Sequence, residues 1–439
     1  MSLSKLTEVS GKRVVVMGLG RFGGQIAVSR YLATHGARVL ITDASPAEKL
    51  APSVEQLKDL DIEYRLGEHR VSDFISADLV ATSPAVPPAN EFLAAARSAG
   101  VPIVTEIELT LERLHQQNPA QTVVAITGTK GKSTTSALLG RMLSAKNTTH
   151  VGGNIGNPLL NQLTSIRPAD WVLLELSSYM LHYLGPRGFR PNVAVITMVS
   201  ADHLDWHGGL APYHAAKAAL ISHQLPTDHA VICAVNPATL ALAQTTRAKV
   251  HHFTQDTSPA IALLIPGAHN QLNAQGALLA ASLMGVPRDL AAAAVANFPG
   301  LPHRLELVAE RRGVRYYNDS IATIPEAATA ALEAFHPHTV LQIVGGYDKH
   351  LNMSPLSAAL ASRAKKSLCI GALGPALHAA IGPERSELCH TLPAAIARAA
   401  ELARPGDVVL LSTGCASYDQ FPNFEARGDE FRTLARQLP

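Results

Sequence analysis

Residues 127–134, with the sequence TGTKGKST, have the composition of a phosphate-binding loop. Gly128 and Gly131 would let backbone N–H groups curl around phosphate oxygens, and the start of a following helix would add positive potential. Lys132 could reach the β- and γ-phosphates of a nucleoside triphosphate, and the Ser133 hydroxyl could bind Mg²⁺. The segment therefore predicts a site for a nucleotide and a divalent cation.

The elements predicted on either side of this loop favour the same interpretation. An apolar strand at 122–127 and a helix at 134–143 give the strand–loop–helix order that phosphate loops have. The loop is a shortened variant, since Ile126 stands where the Walker A sequence has its first glycine. The alternative is a helix cap, in which Ser133 or Thr134 only satisfies the helix N-terminus.

Acidic and histidine side chains follow two further predicted strands. Glu175 ends the apolar strand 171–175, and a carboxylate at the C-terminal end of a parallel strand faces the crevice where such sheets bind ligands. Residues 202–207 (DHLDWH) follow the strand 193–197 and carry several metal- or proton-binding side chains. We expect Mg²⁺ beside Glu175 and a metal or acid–base site at 202–207. A surface ion pair and capping or core histidines are the respective alternatives.

A second glycine-rich turn occurs near the N-terminus. Gly18, Gly20 and Gly23 form a G-x-G-x-x-G sequence after the predicted strand 14–17, and Asp43 ends the next strand. This is the fingerprint of dinucleotide binding. Taken alone it predicts an NAD-dependent oxidoreductase. A nucleotide diphosphate without nicotinamide, or a plain tight turn, would also explain it.

Polar residues further along the chain are candidates for the same kind of ligand. Asn270 precedes an Ala-rich helix predicted at 273–284, and Arg304 and Asp319 could bind nucleotide phosphate and ribose. Helix caps and a surface ion pair are the alternatives. Lys217 lies in a helical, Ala-rich stretch, where a lysine normally extends to solvent.

The composition is that of a globular protein. Apolar residues make up 47% and charged residues 16% of 439 residues, and the net charge of +2 excludes charge-driven binding to nucleic acid or anionic lipid. The sequence has no apolar run long enough for membrane insertion and no secretory signal core at its N-terminus. Four scattered cysteines without a C-x-x-C pair indicate reduced thiols, so we expect a cytoplasmic protein.

The alternation of strands and helices predicts an α/β fold with parallel, doubly wound sheets. We expect three α/β domains in series, at residues 1–119, 120–300 and 301–439.

Eight short motifs resemble those of the Mur ligases, the ATP-dependent amino-acid ligases of peptidoglycan precursor synthesis. The motifs are GTKGKST (128–134), GGNIG (152–156), ELSSY (175–179), DHLDWH (202–207), YHAAK (213–217), GAHNQLN (267–273), LPHRLE (301–306) and NDS (318–320). The ending at 410–431 is most similar to the MurD branch, which adds D-glutamate to UDP-N-acetylmuramoyl-L-alanine. The resemblance implies a Rossmann-like N-terminal domain that binds the UDP substrate, a central P-loop ATPase domain and a Rossmann-like C-terminal domain that binds the amino acid.

The resemblance also implies a role for each matching residue. ATP would be bound by Gly128, Thr129, Lys130, Gly131, Lys132, Ser133, Thr134, Asn270, Arg304 and Asp319. Two Mg²⁺ ions would be held, one by Ser133 and Glu175, the other by His203 and a carbamylated Lys217. The UDP substrate would contact Gly18, Gly20, Arg21, Phe22, Asp43, Asn154 and Ser177. Glutamate would contact Thr323, Lys349, Ser417 and Phe424. Lys132, His203 and Lys217 would be the catalytic residues.

The implied reaction has two steps. The alanine carboxylate attacks the γ-phosphate to give an acyl phosphate and ADP, and the glutamate amine then displaces phosphate. We expect a monomer acting on UDP-N-acetylmuramoyl-L-alanine and glutamate, with no nucleic-acid partner.

Three alternatives remain at this stage. Ile321 and Ile324 replace a lysine and an asparagine that are common in the MurD branch, and a sister branch adds L-glutamate instead. An NAD(P)-dependent oxidoreductase would use the N-terminal glycine turn and leave the phosphate loop unexplained. A nucleotide-binding regulator would hydrolyse ATP slowly and without dependence on an amino acid.

Overall fold

A computed structural model describes residues 8–20, 23–156 and 158–439. These residues form three sheets in chain order, each with helices between its strands. The predicted α/β class with parallel sheets is therefore confirmed.

The first sheet is wholly parallel and follows a doubly wound pattern. Its strands are β1 (Arg13–Met17), β2 (Arg38–Asp43), β3 (Ile62–Leu66), β4 (Leu79–Thr82) and β5 (Ile103–Val104). The associated helices are α1 (Gly24–Thr34), α2 (Ala47–Glu55), α3 (Val71–Ile75), α4 (Glu91–Ser98) and α5 (Glu106–Gln117). The spatial order β3-β2-β1-β4-β5 reverses direction beside β1. Ligands of open α/β sheets bind at such a reversal, where the glycine turn after β1 also lies.

The second sheet is also parallel and carries the phosphate-loop segment. Its strands are β6 (Thr122–Thr127), β7 (Thr149–Gly153), β8 (Trp171–Glu175), β9 (Val193–Ile196), β10 (His229–Cys233) and β11 (Lys249–Phe253). The helices are α6 (Lys132–Ser144), α7 (Ser178–Leu184), α8 (Leu204–His207), α9 (Leu210–Ser222), α10 (Pro237–Leu242), α11 (Ala268–Leu283) and α12 (Arg288–Val295). In the order β11-β10-β9-β6-β8-β7, strand β6 lies between β8 and β9. The C-terminal ends of these three strands therefore meet at one edge, which brings the loop, Glu175 and the DHLDWH segment to the same side.

The third sheet adds one antiparallel strand to a parallel set. Its strands are β12 (Glu306–Arg311), β13 (Val314–Asn318), β14 (Val340–Gly345), β15 (Lys366–Ile370), β16 (Ser386–His390) and β17 (Val408–Leu411). The helices are α13 (Pro325–Glu333), α14 (Ser354–Arg363), α15 (Gly374–Ile381), α16 (Leu392–Leu402) and α17 (Phe424–Gln437). The order is β12-β13-β17-β14-β15-β16, with β12 and β13 antiparallel.

The central strands are apolar along their whole length because helices cover both faces of each sheet. All four residues of β4, β9 and β17 are buried, as are all six of β14. Among the described residues, no helix is both long enough and apolar enough to span a bilayer.

The described chain divides into two compact units rather than three. One comprises the described parts of Met1–Pro259 and Asn273–Ala291, and the other comprises Ala260–Leu272 and Ala292–Pro439. The first unit holds the first two sheets and the second unit holds the third. The boundaries proposed above at 119 and 300 stay predictions.

Candidate active site

The N-terminal glycine turn is held by the carboxylate of Asp43. One carboxylate oxygen accepts from the Gly20 amide at 3.2 Å and the other from the Ser45 amide at 2.8 Å. Gly18, Gly20 and Gly23 all have positive φ, which glycine adopts without strain. Asp43 therefore stabilises the turn in this structure, and its contact with a UDP group stays a prediction. Arg21 and Phe22, predicted for the same group, lie outside the described residues.

The phosphate-loop segment joins β6 to α6 and packs on the end of β9. The amides of Thr129 and Lys130 both donate to the Met198 carbonyl, at 2.6 and 3.2 Å. These two amides face β9, so the donors available to a phosphate are those in the first turn of α6, such as Ser133 and Thr134. A Cβ at Gly128 would collide with the Thr197 hydroxyl, which explains the need for glycine there.

Glu175 lies at the end of β8 and is fully buried beside the loop. Its Oε1 accepts from Ser133 Oγ at 3.2 Å and from Asn154 Nδ2 at 2.9 Å. Its Oε2 is also buried, with no hydrogen-bond partner among the described residues. A buried carboxylate oxygen without a partner is costly unless a cation or water pairs with it. With the Ser133 hydroxyl alongside, this oxygen-rich set fits Mg²⁺.

Lys132 and Lys217 meet at one carbonyl of the loop. The Nζ atoms of Lys132 and Lys217 lie 3.0 and 2.7 Å from the Gly128 carbonyl oxygen. Lys217 is buried, and this burial, together with the charge of Lys132, lowers its pKa to about 7. A substantial fraction of Lys217 is therefore neutral near pH 7, the form that reacts with CO₂. The structure contradicts the expectation that such a lysine extends to solvent, because Lys217 lies on the inner face of α9.

His203 lies apart from the Glu175 and Lys217 contacts. It has left-handed backbone geometry at the start of α8, its ring packs on Tyr179 at 4.8 Å, and its Nε2 is 3.4 Å from Asp202 Oδ2. Its side chain is 46% exposed. The part of the chain that the structure describes has no group of three or more His, Cys, Asp or Glu residues placed to hold a metal ion. The second Mg²⁺ site therefore stays a prediction that depends on a modified Lys217.

The rest of the DHLDWH segment packs into an aromatic cluster. Trp206 Nε1 donates to the Ala85 carbonyl at 3.0 Å, which links α8 to the turn after β4. His207 Nε2 is 3.0 Å from Ser178 Oγ, and burial with its cationic neighbours lowers the pKa of His207 to about 4. His207 is therefore neutral near pH 7. The Trp206 contact was not foreseen from the sequence, since nothing in the DHLDWH spacing indicates a partner so far away in the chain.

Ser177 and Asn154 occupy the loops on either side of Glu175. Ser177 caps α7, where its Oγ accepts from the Met180 amide at 3.2 Å. The Asn154 amide donates to the Glu175 carbonyl at 2.8 Å, in addition to the side-chain contact. Both residues thus have structural roles at the site, and their predicted contacts with the substrate stay predictions.

The residues predicted in the second unit for ATP lie around Asp319. Asp319 is buried, accepting from the Leu305 amide at 3.1 Å and from Ser412 Oγ at 2.7 Å, and burial raises its pKa to about 7. The charge of exposed Arg304 acts on Asp319 in the opposite direction. Asn270 Nδ2 donates to the Pro266 carbonyl at 2.6 Å.

The residues predicted for the amino acid share one region of the second unit only in part. Thr323 and Lys349 line a cavity of about 170 Å³ together with Tyr347, Leu351, Met353, Leu373, Gly414 and Cys415. Ser417 is buried close in sequence to this lining, and its Oγ has no partner among the described residues. Phe424 packs its ring against His303 at 5.9 Å instead of lining this cavity.

Three family models match the chain in order. The MurD-like N-terminal domain of Mur ligases matches residues 12–105, the Mur ligase middle domain 126–260, and the glutamate ligase domain of Mur ligases 303–415.

Relatives and solved structures agree with these matches. The chain is 41% identical to the UDP-N-acetylmuramoylalanine–D-glutamate ligase of Anaeromyxobacter dehalogenans, over 98% of both chains. The enzyme of the same name from Roseiflexus is 38% identical, over 98% of this chain and 100% of that one. In fold, the chain is similar to the MurC ligase of Thermotoga maritima, with a TM-score of 0.60 at 18% identity over 97% and 99% of the two chains. It is also similar to the MurF ligase of Thermotoga maritima, solved in complex with ADP, with a TM-score of 0.59 at 18% identity over 98% and 96%. Matched by family models over most of its length and by relatives above 30% identity from end to end, the chain belongs to the Mur ligase family.

Proposed function

We propose that this protein is the ATP-dependent ligase that adds D-glutamate to UDP-N-acetylmuramoyl-L-alanine. The observation that carries the proposal is the junction of the phosphate loop with Glu175. There Ser133 Oγ and the unpartnered Glu175 Oε2 supply oxygen donors beside the start of α6. The names of the relatives specify the substrates, and the order of the motifs in all three family models agrees with them.

Each residue near the loop has a task that its environment supports. The Lys132 ammonium and the first-turn amides of α6 bind phosphate oxygens and stabilise their negative charge. Ser133 and Glu175 hold one Mg²⁺, which when bound neutralises charge on the phosphates during transfer. Asn154 orients Glu175 through the contact at 2.9 Å. The buried, partly neutral Lys217 is suited to carbamylation, which would convert it to an anionic oxygen ligand for the second ion together with His203.

The remaining assignments concern the substrates and the setting. Asp43 and the glycine turn would bind the UDP group, Asn270, Arg304 and Asp319 would bind ATP, and Thr323, Lys349 and Ser417 would bind glutamate. We also propose a monomer that acts in the cytoplasm, where nucleotide-linked precursors and ATP are available.

A phosphate-release assay tests this function. The protein is mixed with ATP, Mg²⁺ and UDP-N-acetylmuramoyl-L-alanine, and D-glutamate, L-glutamate or no amino acid is added. We expect fast phosphate release only with D-glutamate. Release with L-glutamate alone would favour the sister ligase, and release independent of any amino acid would overturn the ligase assignment. An absorbance change of added NAD(P)H would instead support an oxidoreductase.

A further inference from the structure

Tyr213 lies beneath the phosphate loop but belongs to none of the groups assigned above. It is on the first turn of α9, is 1% exposed, and is one helical turn before Lys217. Its hydroxyl oxygen is 2.6 Å from Thr129 Oγ1, and the Lys217 Nζ lies 4.8 Å from the centre of its ring. One side chain thus touches both the loop and the lysine proposed for carbamylation.

The direction of the Tyr213–Thr129 hydrogen bond follows from the other partners of Thr129. The Thr129 hydroxyl donates its single proton to the Ser200 carbonyl at 3.0 Å, because a carbonyl can only accept. The same oxygen accepts from the Ser200 amide, also at 3.0 Å. One lone pair remains for Tyr213, so the Tyr213 hydroxyl must be the donor. The Thr129 hydroxyl then has its full complement of one donated and two accepted bonds.

These contacts fix the loop from two directions. Ser200, which follows β9, holds Thr129 from one side, and Tyr213 on α9 holds it from the other. The neighbouring Gly128 carbonyl receives both Lys132 and Lys217. A shift of Thr129 would therefore move the carbonyl that positions both lysine side chains.

We propose that Tyr213 is a positioning residue for nucleotide binding, and that it acts by donating a hydrogen bond to Thr129 of the phosphate loop. The inference rests on the proposed function, since it takes residues 128–134 as the loop that binds ATP. It assigns Tyr213 no contact with ATP and no part in proton transfer.

The test compares ATP binding by two tyrosine variants. Tyr213→Phe keeps the ring over which Lys217 lies and removes only the hydroxyl. Tyr183→Phe is the matched control, because the buried Tyr183 hydroxyl has no hydrogen-bond partner among the described residues. We expect the dissociation constant for ATP, measured by calorimetry with Mg²⁺ and no other substrate, to rise about fivefold in Tyr213→Phe. We expect it to stay within twofold in Tyr183→Phe.

A double-mutant cycle separates positioning from general stabilisation of the fold. If Tyr213 acts through Thr129, Tyr213→Phe should weaken ATP binding no further in a Thr129→Ala background. Equal fold-losses in both backgrounds would overturn the proposal, as would unchanged ATP binding by Tyr213→Phe. Should Tyr213→Phe melt well below the unaltered protein, the Thr129→Ser variant provides the second test. It keeps the acceptor and should bind ATP as the unaltered protein does, and weakened binding would count against the proposal.

The outcomes for the two proposals are distinguishable. If the unaltered protein binds ATP and ligates D-glutamate while Tyr213→Phe binds equally well, the inference about Tyr213 fails and the ligase function stands. If the unaltered protein binds no ATP, both fail. If ATP binding depends on Tyr213 but no ligation occurs, only the ligase function fails.

Discussion

The phosphate-loop region and the predicted amino-acid region differ in how completely they are built. Around Glu175, side chains from β8, α6 and the loop after β7 bond directly to one another, all within the first unit. Around Thr323, by contrast, Lys349 is exposed, Ser417 has no partner among the described residues, and Ile324 is 45% exposed. The comparison indicates that the site for phosphate chemistry is preorganised, whereas the amino-acid site presents groups whose partners come with the ligand.

The largest expected effect is at Glu175. Glu175→Gln keeps the size and the acceptor for Ser133 and Asn154 but removes the negative charge, so we expect about a 10²-fold lower turnover and a higher Mg²⁺ requirement. Steady-state phosphate release at several Mg²⁺ concentrations measures both. Glu112→Gln, at a buried carboxylate of α5 that bonds Gln116, is the control and should retain activity. A Glu175→Gln enzyme with normal turnover would remove the distinction between the two regions.

Lys217 should make the stability of the first unit depend on pH. Its pKa is about 7 in the folded protein against 10.5 ordinarily, so between these values the unfolded chain binds more protons. The free energy of unfolding should therefore gain a rising contribution from about pH 7 to 10. Urea titrations in CO₂-free buffer should show a shallower rise in Lys217→Met than in the control Lys58→Met, an exposed site. Parallel curves for all three proteins would contradict the assignment of a buried, mostly neutral lysine.

Asp319 should give the second unit the opposite dependence. Burial raises its pKa from 3.8 to about 7, so the folded state binds more protons between these values. Stability contributed by the protonated form is present below about pH 4 and is lost as the pH rises through 7. Asp319→Asn should remove this loss and keep the acceptor for the Leu305 amide, so it should be the more stable protein at pH 8. Thermal melting at pH 5 and pH 8 tests this, and an equal pH dependence in both proteins would contradict it.

The smallest expected change is at Ser417. Because its hydroxyl has no partner among the described residues, Ser417→Ala should leave the melting temperature nearly unchanged. If glutamate supplies the missing partner, its KM should rise about fivefold with little change in turnover. Ser367→Ala is the matched control, since Ser367 is a buried serine of the same unit with an equally partnerless hydroxyl. A KM change of equal size in both variants would show that Ser417 has no special relation to glutamate.

The central strands could be predicted from the sequence because they are buried on both faces. The apolar runs at 122–127, 171–175 and 79–82 correspond to β6, β8 and β4 without any shift in position. Edge strands were missed, among them β3 and β11, because their half-exposed residues lack a continuous apolar run.

Local motifs predicted the chemistry better than the contacts. The TGTKGKST segment and Glu175 could be linked from the sequence because both follow central parallel strands. The depressed pKa of Lys217 could not, since it depends on the inner face of α9 packing against Gly128. The same holds for the Tyr213–Thr129 bond, which joins residues that are distant in the chain.

The origin of the released phosphate tests the central claim most directly. The reaction is run with UDP-N-acetylmuramoyl-L-alanine labelled with ¹⁸O in its alanine carboxylate, together with ATP, Mg²⁺ and D-glutamate. A ligase that activates this carboxylate as an acyl phosphate transfers one ¹⁸O atom to inorganic phosphate for each amide bond formed. Phosphate without ¹⁸O, measured by mass spectrometry in a reaction that consumes ATP, would show that water and not the substrate carboxylate attacks, and would contradict the account.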